Sequence, residues 1–171
     1  MRINLFGELC VEPSDIAEVV VKEFQKQYGI RFEPNTNKTT GFHYWNDRKF
    51  PRTKGPTVYC VYKDGIPQYV GQTTNNDGLR IRLGRLCCEL QGKTKFAGNH
   101  PGAKKLKKLY DEDYTGLSVK YYEIPRKFLS IQDNPISLQQ VERELITMLR
   151  PICNQEIYKT NWIGDARLEL A

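Results

Sequence analysis

Between Asp15 and Tyr28 the apolar residues Ile16, Val20 and Phe24 recur every fourth position, and Asp15 and Glu18 have capping-box spacing. With Gly29 as a stop, this predicts an amphipathic packing helix. From Phe32 to Gly55 the periodicity is broken by Pro34, Asn35, Asn37, Gly41, Pro51 and Gly55, which predicts a long loop or arm. Thr57 to Lys63 (TVYCVYK) is aromatic and β-branched and leads through Asp64-Gly65 into Ile66 to Gly71 (IPQYVG), the pattern of a β-hairpin. Leu79, Leu83, Leu86 and Leu90 then fall on one helical face, with Arg80, Arg82, Arg85 and Glu89 beside or opposite it. Pro101 opens a second short helix in which Ala103, Leu106, Leu109 and Tyr110 alternate with lysines. Leu117 to Ile124 has a period of two and makes a third strand. Ser137 and Gln140 form a capping box for a helix with Leu138, Val141, Leu145 and Leu149 on one face, ended by Pro151. The order implies an α+β fold, a small three-stranded, mainly antiparallel sheet flanked by helices. The expected organisation is an N-terminal helical arm (1–54), a core (55–155) and a tail (156–171).

At 171 residues the chain has room for one domain, with 39% hydrophobic and 27% charged residues. No apolar run is long enough for a membrane span and no leader pattern opens the chain, so a cytoplasmic protein with no membrane partner is expected. Five cysteines without C-x-x-C spacing argue against a disulfide framework or a zinc knuckle. Charge changes the picture more. Residues 51–110 hold 12 basic and 3 acidic groups, whereas 1–50 hold 7 and 7 and 111–171 hold 7 and 10. The excess of the middle third would attract a polyanion; a lysine-rich solvated face is the plainer account of the same residues.

Val58-Tyr59, then Tyr69-Val70-Gly71 ten residues after that first tyrosine, then Leu79-Arg80-Ile81-Arg82-Leu83 in a helix, form an ordered set. It is completed by the histidine His100 and by Glu142 to Asn154 (ERELITMLRPICN), a glutamate helix, an L-R-P turn and an asparagine. The set resembles the core of the GIY-YIG nucleases over roughly Gly55 to Gln155. Departures are visible: the first motif lacks a glycine, three extra residues separate Gly71 from the arginine helix, and Leu86 stands where many members carry histidine. The resemblance implies a GIY-YIG fold and phosphodiester hydrolysis. It implies Tyr59 as base or water-positioning phenol, Tyr69 as its second-strand companion, Arg82 as phosphate clamp and Glu142 as ligand of one Mg²⁺ (or Mn²⁺). His100 and Asn154 would be supporting residues and Gly71 structural.

The residues are compatible with these roles. Glu142 lies at the edge of an apolar helix face, where a carboxylate has either a hard cation or an ion-pair partner. Arg82 has a planar fork suited to phosphate, and is otherwise a surface arginine. A free phenol has a pKa of about 10, so Tyr59 needs a nearby positive charge such as Lys63 or Arg82. A three-residue loop, Asp64 to Ile66, would set Tyr59 opposite Gly71 and place both tyrosines on one face. A two-residue Asp64-Gly65 turn would separate them; shared function predicts the longer loop.

Contacts to a nucleic-acid backbone are expected from Lys63, Arg80, Arg85, Lys93, Lys95, Lys104, Lys105, Lys107 and Lys108. Arg48, Lys49, Arg52 and Lys54 follow Phe42-His43-Tyr44-Trp45 and interleave charge with aromatics, as a contact loop would; the aromatics alone could equally pack the arm. Extra material before the first tyrosine, with no zinc module or long extension after Asn154, points to the restriction-enzyme branch of the resembled family. The expectation is a metal-dependent endonuclease of double-stranded DNA, acting as a homodimer or higher oligomer because one site per chain must cut two strands. The rivals are a non-catalytic nucleic-acid-binding module on the same scaffold and a structure-specific or repair nuclease working with a partner.

Overall fold

The computed structural model describes residues 2–3, 9–32, 50–74, 78–90, 100–110, 113–129 and 136–157, with backbone alone at 2–3, 9–10 and 155–157. Strands β1 (Arg2–Ile3) and β2 (Leu9–Cys10) pair antiparallel by themselves. The main sheet is antiparallel with order β3-β6-β4-β5, formed by β3 (Ile30–Arg31), β4 (Thr57–Lys63), β5 (Ile66–Thr73) and β6 (Leu117–Glu123). Its helices are α1 (Pro13–Lys26), α2 (Gly78–Leu90), α3 (Pro101–Tyr110), the one-turn α4 (Arg126–Leu129) and α5 (Leu138–Leu149), followed by a 3-10 turn over Ile152–Ile157.

Central β4 is buried on both faces, and its alternation sorts two cores. Tyr59 and Val61 join Tyr69, Leu79, Leu83, Leu86, Leu90 and Leu106 under α2 and α3. Val58, Cys60 and Tyr62 join Val70, Ile16, Val20, Phe24, Val141 and Leu145 under α1 and α5. The apolar stripes expected on α1, α2 and α5 are therefore the buried ones, with Leu149 at the end of α5 partly buried. Caps agree in kind: Ser137 and Gln140 cap α5 reciprocally, whereas α1 starts two residues earlier than expected, on a Glu12/Asp15 box.

The expected three-stranded sheet has a fourth strand. Ile30 pairs with Val119 and Arg31 with Ser118, a two-residue strand too short to show alternation and created by its partner. Of the stretch expected as an arm, described residues reach both cores: α1 packs in the second, and Phe32 meets Phe50 edge-to-face at 5.2 Å in the first. Thr53 accepts the Leu79 N–H at 3.1 Å, serving at the start of α2 as a cap from 26 residues upstream. Side-chain amides clamp two strands: Gln27 bonds both backbone groups of Tyr121 on β6, past the end of short β3, and Asn154 both of Val70 on the edge strand β5. No disulfide joins Cys60, Cys87, Cys88 or Cys153. Among the described residues no helix is long and apolar enough to cross a membrane.

Candidate active site

The hairpin reaches the expected register by another route. Tyr59 stands opposite Gly71 and Val61 opposite Tyr69, as a three-residue loop would give. The turn is nevertheless the two-residue Asp64-Gly65, with positive φ at both positions (51° and 83°), and a β-bulge between Val61 and Tyr62 absorbs the extra residue, Gln68. The bulge puts both tyrosines on the α2/α3 face. Buried Gln68 is held by its own strand, through the Ile66 carbonyl at 3.0 Å, and by the Tyr110 hydroxyl.

Tyr59 is 0% exposed, and its phenol oxygen sits between two side chains. Arg82 donates its Nε–H to it at 3.3 Å, and His100 Nε2 lies 3.2 Å away. The phenol and Nε2 share one hydrogen bond, whose direction follows the imidazole tautomer. The other ring nitrogen, the buried Nδ1, has no hydrogen-bond partner among the described residues. Burial pushes the Tyr59 phenol far above its ordinary range, the Tyr69 field adding to this and Arg82 opposing it. Burial first, then the charges of Arg82 and Arg85, push His100 down to about 3. Both members of the pair are thus neutral at physiological pH. Tyr59 as a base meeting the attacking water does not fit this geometry: it lies behind Arg82, closed to solvent.

Close packing fixes the neighbours. A Cβ on Gly71 would lie 2.5 Å from the Tyr59 hydroxyl, so the structural role expected of this glycine is steric room for the phenol. A Cβ on Gly102, at the start of α3, would lie 2.7 Å from ring atoms of Tyr69, while the His100 ring meets Tyr69 edge-on with centroids 5.4 Å apart. The His100-Pro101-Gly102 corner therefore braces both phenols. Gly102→Ala is expected to cost about 1–3 kcal/mol by overpacking and to alter the near-UV tyrosine signal, read by urea denaturation and circular dichroism; an unchanged protein would show that the corner yields.

Tyr69 is 5% exposed, and burial, with the Glu142 charge adding to it, pushes its phenol up to about 12. Glu142 comes from α5, in the other core, yet its field reaches Tyr69 and the Arg82 field reaches it. Burial raises its carboxyl to about 7 against the pull of Arg82 and Arg143. No group of three or more His, Cys, Asp or Glu is assembled among the described residues. A cation held at Glu142 would have from the described residues one half-buried carboxylate, with waters to complete its shell, a donor set that fits Mg²⁺ or Mn²⁺.

Other expected residues are placed differently. Asn154 accepts the Val70 N–H at 2.8 Å and donates to its carbonyl at 3.1 Å, so its amide holds β5 and is not offered to a substrate. Lys63 is not beside Tyr59: its ammonium donates to the carbonyls of Thr115 (2.6 Å) and Asp113 (3.0 Å), pairs with the Asp113 carboxylate and covers the Tyr110 ring, stapling the β6 approach to the hairpin. Of the two, Arg82 supplies the expected charge. Leu86 is wholly buried, and a histidine meets Tyr59 from the residue before α3, His100. Arg52, Lys54, Arg85, Lys104 and Lys108 are exposed, and Arg80, Lys105 and Lys107 half-buried. Arg48, Lys49, Lys93, Lys95 and Phe42 to Trp45 lie outside the described residues. Sequence reasoning missed Gly102, Thr53 and Glu89, whose carboxylate accepts the His100 N–H; only the Pro-Gly pair at 101–102 could have drawn notice to the first. Comparison with protein-family models, curated proteins and solved structures finds no match to this chain.

Proposed function

We propose that this chain is a GIY-YIG-type endonuclease acting in the cytoplasm, which hydrolyses phosphodiester bonds of double-stranded DNA with a divalent metal, in the manner of a restriction enzyme. The observation that carries the reading is convergence on Arg82. One guanidinium bonds the Tyr59 phenol, and its charge acts on Tyr69, His100 and Glu142, residues brought from β4, β5, α5 and the start of α3.

Arg82 has its Nε–H fixed on Tyr59, which aims the rest of its fork and leaves donors for the scissile phosphate. Tyr59 and His100 are the uncharged brace behind it. Tyr69, protonated at neutral pH, orients the attacking water by hydrogen bonding, between the guanidinium and the carboxylate. Glu142 holds the cation; when bound, Mg²⁺ or Mn²⁺ supplies positive charge against the phosphate oxygens. The water oxygen bonds to phosphorus and loses a proton to solvent, while the P–O bond to the departing strand breaks and its oxygen takes a proton from solvent. A phosphate on Arg82 also offsets one of the charges that depress His100, so the imidazole becomes more basic when substrate is present.

Purified protein incubated with plasmid and Mg²⁺ tests the reading, beside Arg82→Ala and Glu142→Gln. Cleavage by the wild type and a loss of about 10²- to 10³-fold in Arg82→Ala are expected. Discrete fragments support a restriction enzyme, and a smear removes that part. Binding without metal-dependent cleavage would instead establish the non-catalytic module. Two strands cut by one site per chain call for two chains or two visits, read from nicked and linear products over time.

A further inference from the structure

Beside Arg82 the surface falls into an open depression of about 200 Å³ between the end of β5, with Gln72, Thr73 and Thr74, and the start of α2, with Gly78, Arg82 and Arg85. Its lining among the described residues includes two guanidiniums, two hydroxyls and an amide, and no carboxylate. Arg85 is exposed and follows Arg82 by three residues, which places the two on one helix face with about 5–6 Å between Cβ atoms. The Leu79 N–H at the helix start is already taken by Thr53, so attraction for an anion rests on the side chains more than on the helix end. Ile81, 42% exposed, adds one apolar surface to the lining, of a kind a sugar ring can rest on.

We infer that this depression is a second phosphate subsite, in which Arg85, Thr74 and Gln72 hold the phosphodiester next along the strand from the one that Arg82 presents for cleavage. The inference rests on the nuclease reading for the owner of that phosphate. Arg82 stands between the two groups, fixed by Tyr59 on one side and lining the depression on the other. The subsite sets strand register: a phosphate seated on Arg85 determines which phosphodiester reaches Arg82.

The test uses the full chain as wild type, Arg85→Ala and Lys22→Ala, the last removing one exposed charge from α1. Inorganic phosphate is titrated while the amide signals of Gly78 and the Arg85 Nε–H signal are followed by NMR. Binding of a labelled duplex is then measured by anisotropy between about 50 and 200 mM salt. Phosphate should shift the Gly78 signal in wild type and Lys22→Ala, and bind at least five-fold more weakly to Arg85→Ala. The salt slope for duplex should fall by about one in Arg85→Ala only. Phosphate affinity unchanged in Arg85→Ala overturns the subsite. Weakened phosphate binding with an unchanged duplex slope marks a site for free phosphate alone and overturns it equally. Cleavage with Mg²⁺ is scored separately. Duplex binding with the expected loss of slope but no cutting removes the nuclease reading and keeps the subsite; cutting with an unchanged slope does the reverse.

Discussion

Glu142→Gln is expected to abolish metal-dependent cleavage and, in the same molecule, to raise the stability of the metal-free protein at pH 8.5. The carboxyl titrates near 7 in the folded chain against an ordinary 4.5, mainly because burial penalises its charge. Below pH 4.5 both folded and unfolded states carry the proton and the group is neutral to stability. Between 4.5 and 7 only the unfolded state releases it, so stability falls as pH rises, and above 7 the whole penalty is present. At 1.36 kcal/mol per unit the ceiling is about 3 kcal/mol, which screening of a half-buried group lowers to about 1–2. For a chain of this size that is roughly 2–8 °C in Tm. Thermal melts of wild type and variant should differ at pH 8.5 and converge toward pH 5, and Mg²⁺ should stabilise the wild type alone. Wild-type cleavage should drop about tenfold per pH unit below 7, with a midpoint that moves lower as Mg²⁺ is raised, since proton and cation compete for one carboxylate. A variant no more stable than wild type at pH 8.5 would refute the burial of this charge, and one that still cuts would refute its role.

Asn154→Ala should be the most damaging single truncation away from the guanidinium. Its amide satisfies both the N–H and the carbonyl of Val70 in buried surroundings. Losing it leaves two backbone groups without partners on the outer side of β5, at about 1–3 kcal/mol each, so a total of about 2–5 kcal/mol is expected from urea denaturation. Val70 lies between Tyr69 and Gly71, so the strand that carries one phenol and makes room for the other should loosen, seen as faster hydrogen exchange at the Val70 amide. Asn154→Asp keeps the acceptor for the N–H and turns a carboxylate oxygen toward the carbonyl; it should recover stability as pH falls and its carboxyl gains a proton. A loss below about 1 kcal/mol in Asn154→Ala would mean that water replaces the amide and that the clamp is dispensable.

Elements written within a turn or a strand's length were legible. The leucine stripe at 79, 83, 86 and 90, the Ser137/Gln140 box and the alternation of Leu117 to Glu123 each depend on neighbours a few residues apart, and all three are present. Strand β3 was not legible because two residues have no period. The bulge at Gln68 was not legible either, since both hairpin turns suit the same residues and packing of the tyrosines under α2 and α3 selects the register. Lys63 illustrates the limit for charge: composition counts it in a basic face, whereas folding brings two carbonyls and a carboxylate to it from about fifty residues away.

The sequence by itself determined the helices α1, α2, α3 and α5, the strands β4, β5 and β6, and the concentration of positive charge in residues 51–110. Those properties follow from side-chain periods of 3.6 and 2 and from counting. Only the tertiary structure decided that His100, 41 residues from Tyr59, touches its phenol, that Tyr59 is sealed behind Arg82, and that Asn154 is spent on a strand 84 residues away. The physical reason is that burial and hydrogen-bond partnership are properties of surroundings, and surroundings at such separations are set by how sheet and helices pack rather than by any local pattern.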